Sequence, residues 1–172
     1  MDETRITRRW RAERGVAAVE FAIVISLLVM IAGGIIEFGR VFWYYDALTK
    51  ATRDGARFMS TVANTDIGTA ADALASGPPY TSGNPLTVRS IVVNAASAAN
   101  VAPVLTYDNV SVTCQPEACE NGVAPEHVKV AITEYSVTFG SWFPIPLPAG
   151  DWFLTPHTTM RYMCEAGATT SC

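Results

Sequence analysis

RGVAAVEFAIVISLLVMIAGGII, residues 14–36, contains a run of 21 residues from Val16 to Ile36 broken by a single charge, Glu20. As a helix rising ~1.5 Å per residue, the run spans roughly 30 Å, the thickness of a bilayer's hydrocarbon core. One crossing is enough. A carboxylate inside such a span costs roughly 2.5–3.5 kcal/mol on insertion scales, so it marks function and calls for a partner.

Two other readings compete with a functional anchor. In the first the segment is a removable secretory signal cut at the small residues Ala32-Gly33-Gly34. Against it, Glu20 interrupts the apolar region, and the helical pattern continues past the supposed cut into Ile35, Ile36 and Phe38. In the second the segment is a plain anchor whose Glu20 snorkels to the near interface, about one and a half turns from Arg14.

Charge is distributed unevenly around the span. Residues 1–15 hold five arginines (Arg5, Arg8, Arg9, Arg11, Arg14) against Asp2, Glu3 and Glu13, whereas from Phe58 onward only Arg89, Lys129 and Arg161 face nine acids. The positive-inside rule keeps the basic end cytoplasmic and sends the acidic bulk across the membrane. An acidic exported domain with three scattered bases has no electrostatic footprint for nucleic acid.

Beyond Ile36 the pattern becomes amphipathic without a break, with Phe38, Phe42, Tyr45, Leu48, Thr52, Ala56 and Met59 at steps of three or four. The other face carries Glu37, Arg40, Lys50, Asp54 and Arg57 and reads as solvated, with Asp46 and Lys50 as a favourable i,i+4 pair. The helix is therefore expected to run to about Ser60. A short helix from Asp66 follows, then a loop through Gly77-Pro78-Pro79-Tyr80-Thr81-Ser82-Gly83. Asn84-Pro85 reads as an N-cap and first turn leading into a second helix that ends near Asn100, with a strand at Ile91-Val92-Val93 as the alternative.

From Asn109 the period is two: Val110, Val112, Cys114; then Val128, Val130, Ile132, Tyr135, Val137, Phe139; then Thr158, Met160, Tyr162, Cys164. These sets predict three antiparallel strands. The middle one changes phase after Ile132, which a β-bulge near Thr133-Glu134 would accommodate. Residues 140–150, with prolines at 144, 146 and 148, form the loop before the last strand. Trp142-Phe143-Pro144-Ile145-Pro146-Leu147-Pro148 with Trp152-Phe153 is apolar for a loop, suiting either core packing or a protein contact.

Four cysteines, Cys114, Cys119, Cys164 and Cys172, lie beyond the span, and an even count in an oxidising compartment favours two disulfides. Of three connectivities, Cys114 with Cys119 and Cys164 with Cys172 is preferred. A zinc site of Cys114, Cys119 and His127 or His157 is the rival, but the usual C-x2-C and H-x3-H spacings are missing. No nucleophile elbow, phosphate-cradling glycine loop or paired metal motif occurs, which argues against an enzyme and against a cofactor.

The basic leader, Gly15, the small apolar residues, Glu20, Phe21 and the long helix together resemble the class III signal peptides of the type IV pilin superfamily. That resemblance implies prepilin peptidase cleavage between Gly15 and Val16. It also implies that Glu20 pairs with the freed amine of a neighbouring subunit during assembly, which supplies the partner its charge requires. Glu37-Phe38-Gly39-Arg40 and Arg53-Asp54-Gly55-Ala56-Arg57 look like the helix motifs of TadE-like pseudopilins of tight-adherence (Flp, type IVc) pili.

The fold expected is α+β and pilin-like: a long N-terminal transmembrane and amphipathic helix packed on a small antiparallel sheet of about three strands. The expected divisions are a cleaved leader (1–15), a transmembrane half-helix (16–36), an amphipathic half-helix (37–60) and an extracytoplasmic globular domain (61–172). The resemblance implies a minor pilin held in the inner membrane, with other pilin and pseudopilin subunits, the prepilin peptidase, the inner-membrane assembly platform and membrane lipid as partners. The alternative is an uncleaved single-span protein presenting a protein-binding domain outside the cytoplasm.

Overall fold

A computed structural model describes residues 3–72, 87–138 and 151–164. Its main element is one helix, α1 (Glu3–Thr61). It begins upstream of the expected start at Val16, because nothing in the arginine-rich leader breaks a helix. The chain divides into two units with the boundary between Arg40 and Val41. In the first, the side chains from Val16 to Ile36 are almost all exposed, as suits a surface solvated by lipid rather than by protein.

In the second unit α1 buries Tyr44, Leu48, Ala51, Thr52, Gly55, Ala56 and Met59. The lower part of the expected stripe is corrected: Phe38, Phe42 and Tyr45 are exposed, and Tyr44 is the first aromatic to reach the core. Past Thr61 a 3-10 turn (Asn64–Asp66) leads into α2 (Ile67–Asp72). Asn121 holds the start of α2, its Oδ1 accepting from the Gly68 and Thr69 amides at 2.7 and 3.3 Å. Gly68 sits in tight quarters, since a Cβ would stand 3.0 Å from both that oxygen and the Cys119 carbonyl and would make one of them shift by a few tenths of an ångström.

The second long helix, α3 (Val88–Ala98), starts at Thr87 rather than Asn84. The Thr87 hydroxyl accepts from the Ser90 amide while the Ser90 hydroxyl accepts from the Thr87 amide, a reciprocal cap. Asn84 and Pro85 lie outside the described residues. At the other end Asn100 takes φ 53°, and the amides of Asn100 and Val101 return to the carbonyls of Ser97 and Ala96. That left-handed stop satisfies the last carbonyls of the helix.

The strands form two antiparallel sheets. The first has the order β1 (Val110–Gln115), β2 (His127–Ile132), β5 (His157–Arg161). Register sets Val112 opposite Val130 and Val130 opposite Thr158, and likewise Cys114, Val128 and Met160, so these side chains share one face. The second sheet pairs β3 (Tyr135–Thr138) with β4 (Asp151–Leu154). The phase change after Ile132 is thus a break between sheets rather than a bulge. Glu134 makes it, with φ 56°, and Tyr135 and Val137 return to the core on the far side. Trp152 and Phe153, read from sequence as loop, belong to β4.

Helices and sheets share one core of Leu48, Met59, Ile67, Val88, Val92, Val128, Val130 and Ile132, all without solvent exposure. Each such side chain contributes roughly 1.5–3 kcal/mol by leaving water. Polar pins fix the last strand to the helix. Thr52 and Thr158 share a hydroxyl hydrogen bond of 3.0 Å, the Met163 amide donates to the Ser60 carbonyl, and the Tyr162 hydroxyl donates to the Val62 carbonyl at 2.7 Å. Burial pushes the Tyr162 phenol above its ordinary pKa.

Candidate functional site

The residues singled out on α1 form three groups that the helix does not bring together. Gly15 and Val16 lie within helix, and Val16, Glu20 and Phe21 are all exposed. No ion pair reaches Glu20 among the described residues. A charge among apolar neighbours, with no ion-pair partner among the described residues, is costly in a membrane span.

The second group lies 17 residues further on, about 25 Å of helix. Glu37 and Arg40 form an ion pair of 2.7 Å, and Glu37 is 2% exposed. Glu37 is therefore not on a solvated face as its charge suggested; it is buried and salt-bridged one turn ahead of Arg40. A buried pair of this kind is costly to break, because either partner alone leaves an uncompensated charge. The two residues beside it, Phe38 and Gly39, are exposed.

The third group divides by face. Arg53, Asp54 and Arg57 are exposed, whereas Gly55 and Ala56 are buried. Gly55 lets α1 approach α3 and β2: a Cβ there would stand 2.7 Å from Val92 Cγ2, 3.1 Å from Val88 Cγ1 and 3.5 Å from Val130 Cγ1. The glycine of this motif is thus a packing residue, and its charged neighbours play no part in the core.

Cys114 and Cys119 form a disulfide that closes the turn after β1. It consumes both sulfurs that a zinc site would need. Cys164 is disulfide-bonded too; its expected partner, Cys172, lies outside the described residues. No group of three or more His, Cys, Asp or Glu side chains stands within metal-binding reach among the described residues. His127 is exposed beside Glu126, 4.0 Å away.

A cleft of about 300 Å³ beside the disulfide is lined by Ala71, Arg89, Val112 and Thr113. Arg89 donates to the Tyr107 carbonyl at 3.4 Å, and its buried Nε has no hydrogen-bond partner. Nothing in the residue pattern signals this cleft, since Arg89 lies in an otherwise apolar helical stretch. The lining side chains include no acid–base pair.

A long apolar N-terminal helix packed on small antiparallel sheets defines a pilin-like α+β protein, and its span from Val16 is long and apolar enough to cross a membrane. Residues 15–57 match the TadE-like protein family, so the chain carries a TadE-like domain over the helix and its three groups. A TadE-like domain implies a protein associated with the tight-adherence pilus. No curated protein and no solved structure matches the chain.

Proposed function

We propose that the chain is a minor pilin, or pseudopilin, that primes or regulates assembly of a tight-adherence pilus for surface attachment. The observation that carries this reading is the family match from Gly15 to Arg57, which begins at the expected cleavage glycine and takes in Glu20. The prepilin peptidase cuts after Gly15, and residues 16–36 hold the mature chain in the inner membrane. The domain beyond the span lies outside the cytoplasm, as the basic leader requires. Glu20 pairs with the new amine of a neighbouring subunit. Other pilins, the inner-membrane assembly platform and lipid are its partners, and the chain performs no catalysis of its own.

N-terminal sequencing of the protein from cells with and without the prepilin peptidase tests the reading. A chain starting at Val16 only when the peptidase is present supports it. An intact N-terminus in both strains favours the uncleaved single-span protein instead, and a start near Ile35 points to a conventional exported protein.

A further inference from the structure

β1 lies at one edge of the three-stranded sheet, and the phase of its ladder fixes which of its backbone groups face outward. The Thr133 amide donates to the Asn109 carbonyl at 2.8 Å. Hydrogen-bonded pairs alternate along an antiparallel ladder, so Ser111, Thr113 and Gln115 exchange their bonds with Ala131, Lys129 and His127. The intervening residues of β2 serve β5 instead: the Ile132 amide donates to the Pro156 carbonyl, and the Glu126 carbonyl accepts from the Tyr162 amide. Val110, Val112 and Cys114 therefore turn their amides and carbonyls away from the sheet. The Val110 amide bonds the Tyr107 carbonyl. No backbone partner meets the outward groups of Val112 and Cys114 among the described residues.

The same edge borders the cleft of about 300 Å³, which is lined by Val112, Thr113 and Cys114 of β1, Ala71 of α2 and Arg89 of α3. Arg89 is a cation without a counter-charge. It stands in the first turn of α3, where the helix dipole favours an anion, and that turn holds no acidic residue. No ion pair reaches it among the described residues. Its guanidinium donates to the Tyr107 carbonyl at 3.4 Å, while Nε is left without a partner. From this we infer that the β1 edge and its cleft are a docking site for an extended acidic peptide of another chain. The peptide adds a strand beside β1, exchanging main-chain hydrogen bonds with Val112 and Cys114, and presents a carboxylate to Arg89.

Two demands meet at this place, and an acidic strand answers both. An unpaired strand edge is a template for one more strand, with main-chain bonds giving affinity and side-chain pockets giving selectivity. A small free anion would neutralise Arg89 and leave the edge unpaired, and a docked helix has no main-chain groups to offer the edge. A guanidinium presents its donors as a fork that suits a carboxylate. Ala71, Ala118 and Val112 make the remaining wall small and apolar, which suits a short aliphatic side chain beside that carboxylate. The cleft is at the small end of ligand sites, roughly 300–1,000 Å³, so it receives side chains of a strand rather than enclosing a large ligand. Every group involved lies within residues 71–119 of the second unit.

The test titrates the full chain, in detergent micelles, against a fluorescein-labelled peptide of alternating valine and threonine with one central glutamate, and reads anisotropy. The peptide is expected to bind. Glutamine in place of the glutamate should weaken binding about tenfold, and so should Arg89→Gln in the protein, with the two changes together costing no more than either alone. N-methylation of alternate peptide amides should weaken it by a similar factor, as should Val112→Pro, which removes an outward amide and leaves the ladder to β2 intact. No binding by the unsubstituted protein overturns the inference. Binding that ignores N-methylation also overturns it, in favour of a simple anion pocket at Arg89. Equal affinity for the glutamate and glutamine peptides removes the carboxylate from recognition and overturns it as well. The modified peptides need no change in the protein, so a variant that fails to fold leaves the test intact, and none of these readings depends on cleavage at Gly15.

Discussion

Replacing Gly55 by alanine adds one methyl group at the closest approach of α1 to α3. In an exposed helix the change would stabilise by about 1 kcal/mol, since glycine gives up more backbone freedom than alanine. Here the new Cβ meets Val92 Cγ2 at 2.7 Å and Val88 Cγ1 at 3.1 Å. Valine is stiff at χ1, and both valines are fully buried, so neither can swing aside. Overpacking of this kind costs about 1–3 kcal/mol. Set against the propensity gain, Gly55→Ala should destabilise by about 1 kcal/mol, and Gly55→Val by considerably more. Adding Val92→Ala removes the nearest clashing methyl, so the double variant should be more stable than the sum of the singles by about 1–2 kcal/mol. Urea unfolding of the detergent-solubilised full chain measures each corner of the cycle. A Gly55→Ala midpoint above that of the unchanged protein, or an additive cycle, would refute the packing argument.

Three other outcomes follow from particular contacts. Tyr162 ionises at higher pH in the folded chain than the usual 10.0, so its contribution is complete below about pH 10 and is lost as pH climbs from there through the folded pKa. Tyr162→Phe should abolish that part of the alkaline decline in melting temperature and cost about 1 kcal/mol at neutral pH, through the unpaired Val62 carbonyl. Replacing Cys114 and Cys119 together by serine reopens a short loop and should cost about 2 kcal/mol, with limited proteolysis appearing between residues 115 and 122 where Asn121 holds α2. Glu20→Gln should leave maturation at Gly15 and membrane insertion unchanged while reducing surface pili, counted by electron microscopy; normal piliation would remove Glu20 from assembly.

Helical period and strand period were legible from the sequence because each reflects burial on one side of a regular element. What the period could not supply was where the cover begins. Phe38, Phe42 and Tyr45 continue the apolar stripe of Leu48 and Met59 without a break in spacing, yet only the latter residues lie under the core. Glu37 illustrates the converse. Hydropathy places a carboxylate on the solvated face, while the opposite charge at i,i+3 was the available signal that it could be buried as an ion pair. The break between β2 and β3 was visible as a phase change. Its form was not, because Glu134 adopts a left-handed conformation for which no glycine or asparagine gave notice. Asn84-Pro85 likewise carried the stronger local start signal, but Thr87 and Ser90 make the reciprocal cap.

The segment that matches the TadE-like family ends at Arg57, so Gly55 is inside it and the residues Gly55 touches, Val88, Val92 and Val130, are outside. A family motif thus fixes the near side of a contact whose far side is this chain's own. That accounts for Gly55 and Ala56 by packing alone. Arg53, Asp54 and Arg57 lie on the exposed side of the same turn, and Glu20 is exposed in the apolar span. If the proposed assembly of such chains is right, the helix of the next subunit is where Glu20 would meet a positive charge, since no ion pair reaches it among the described residues.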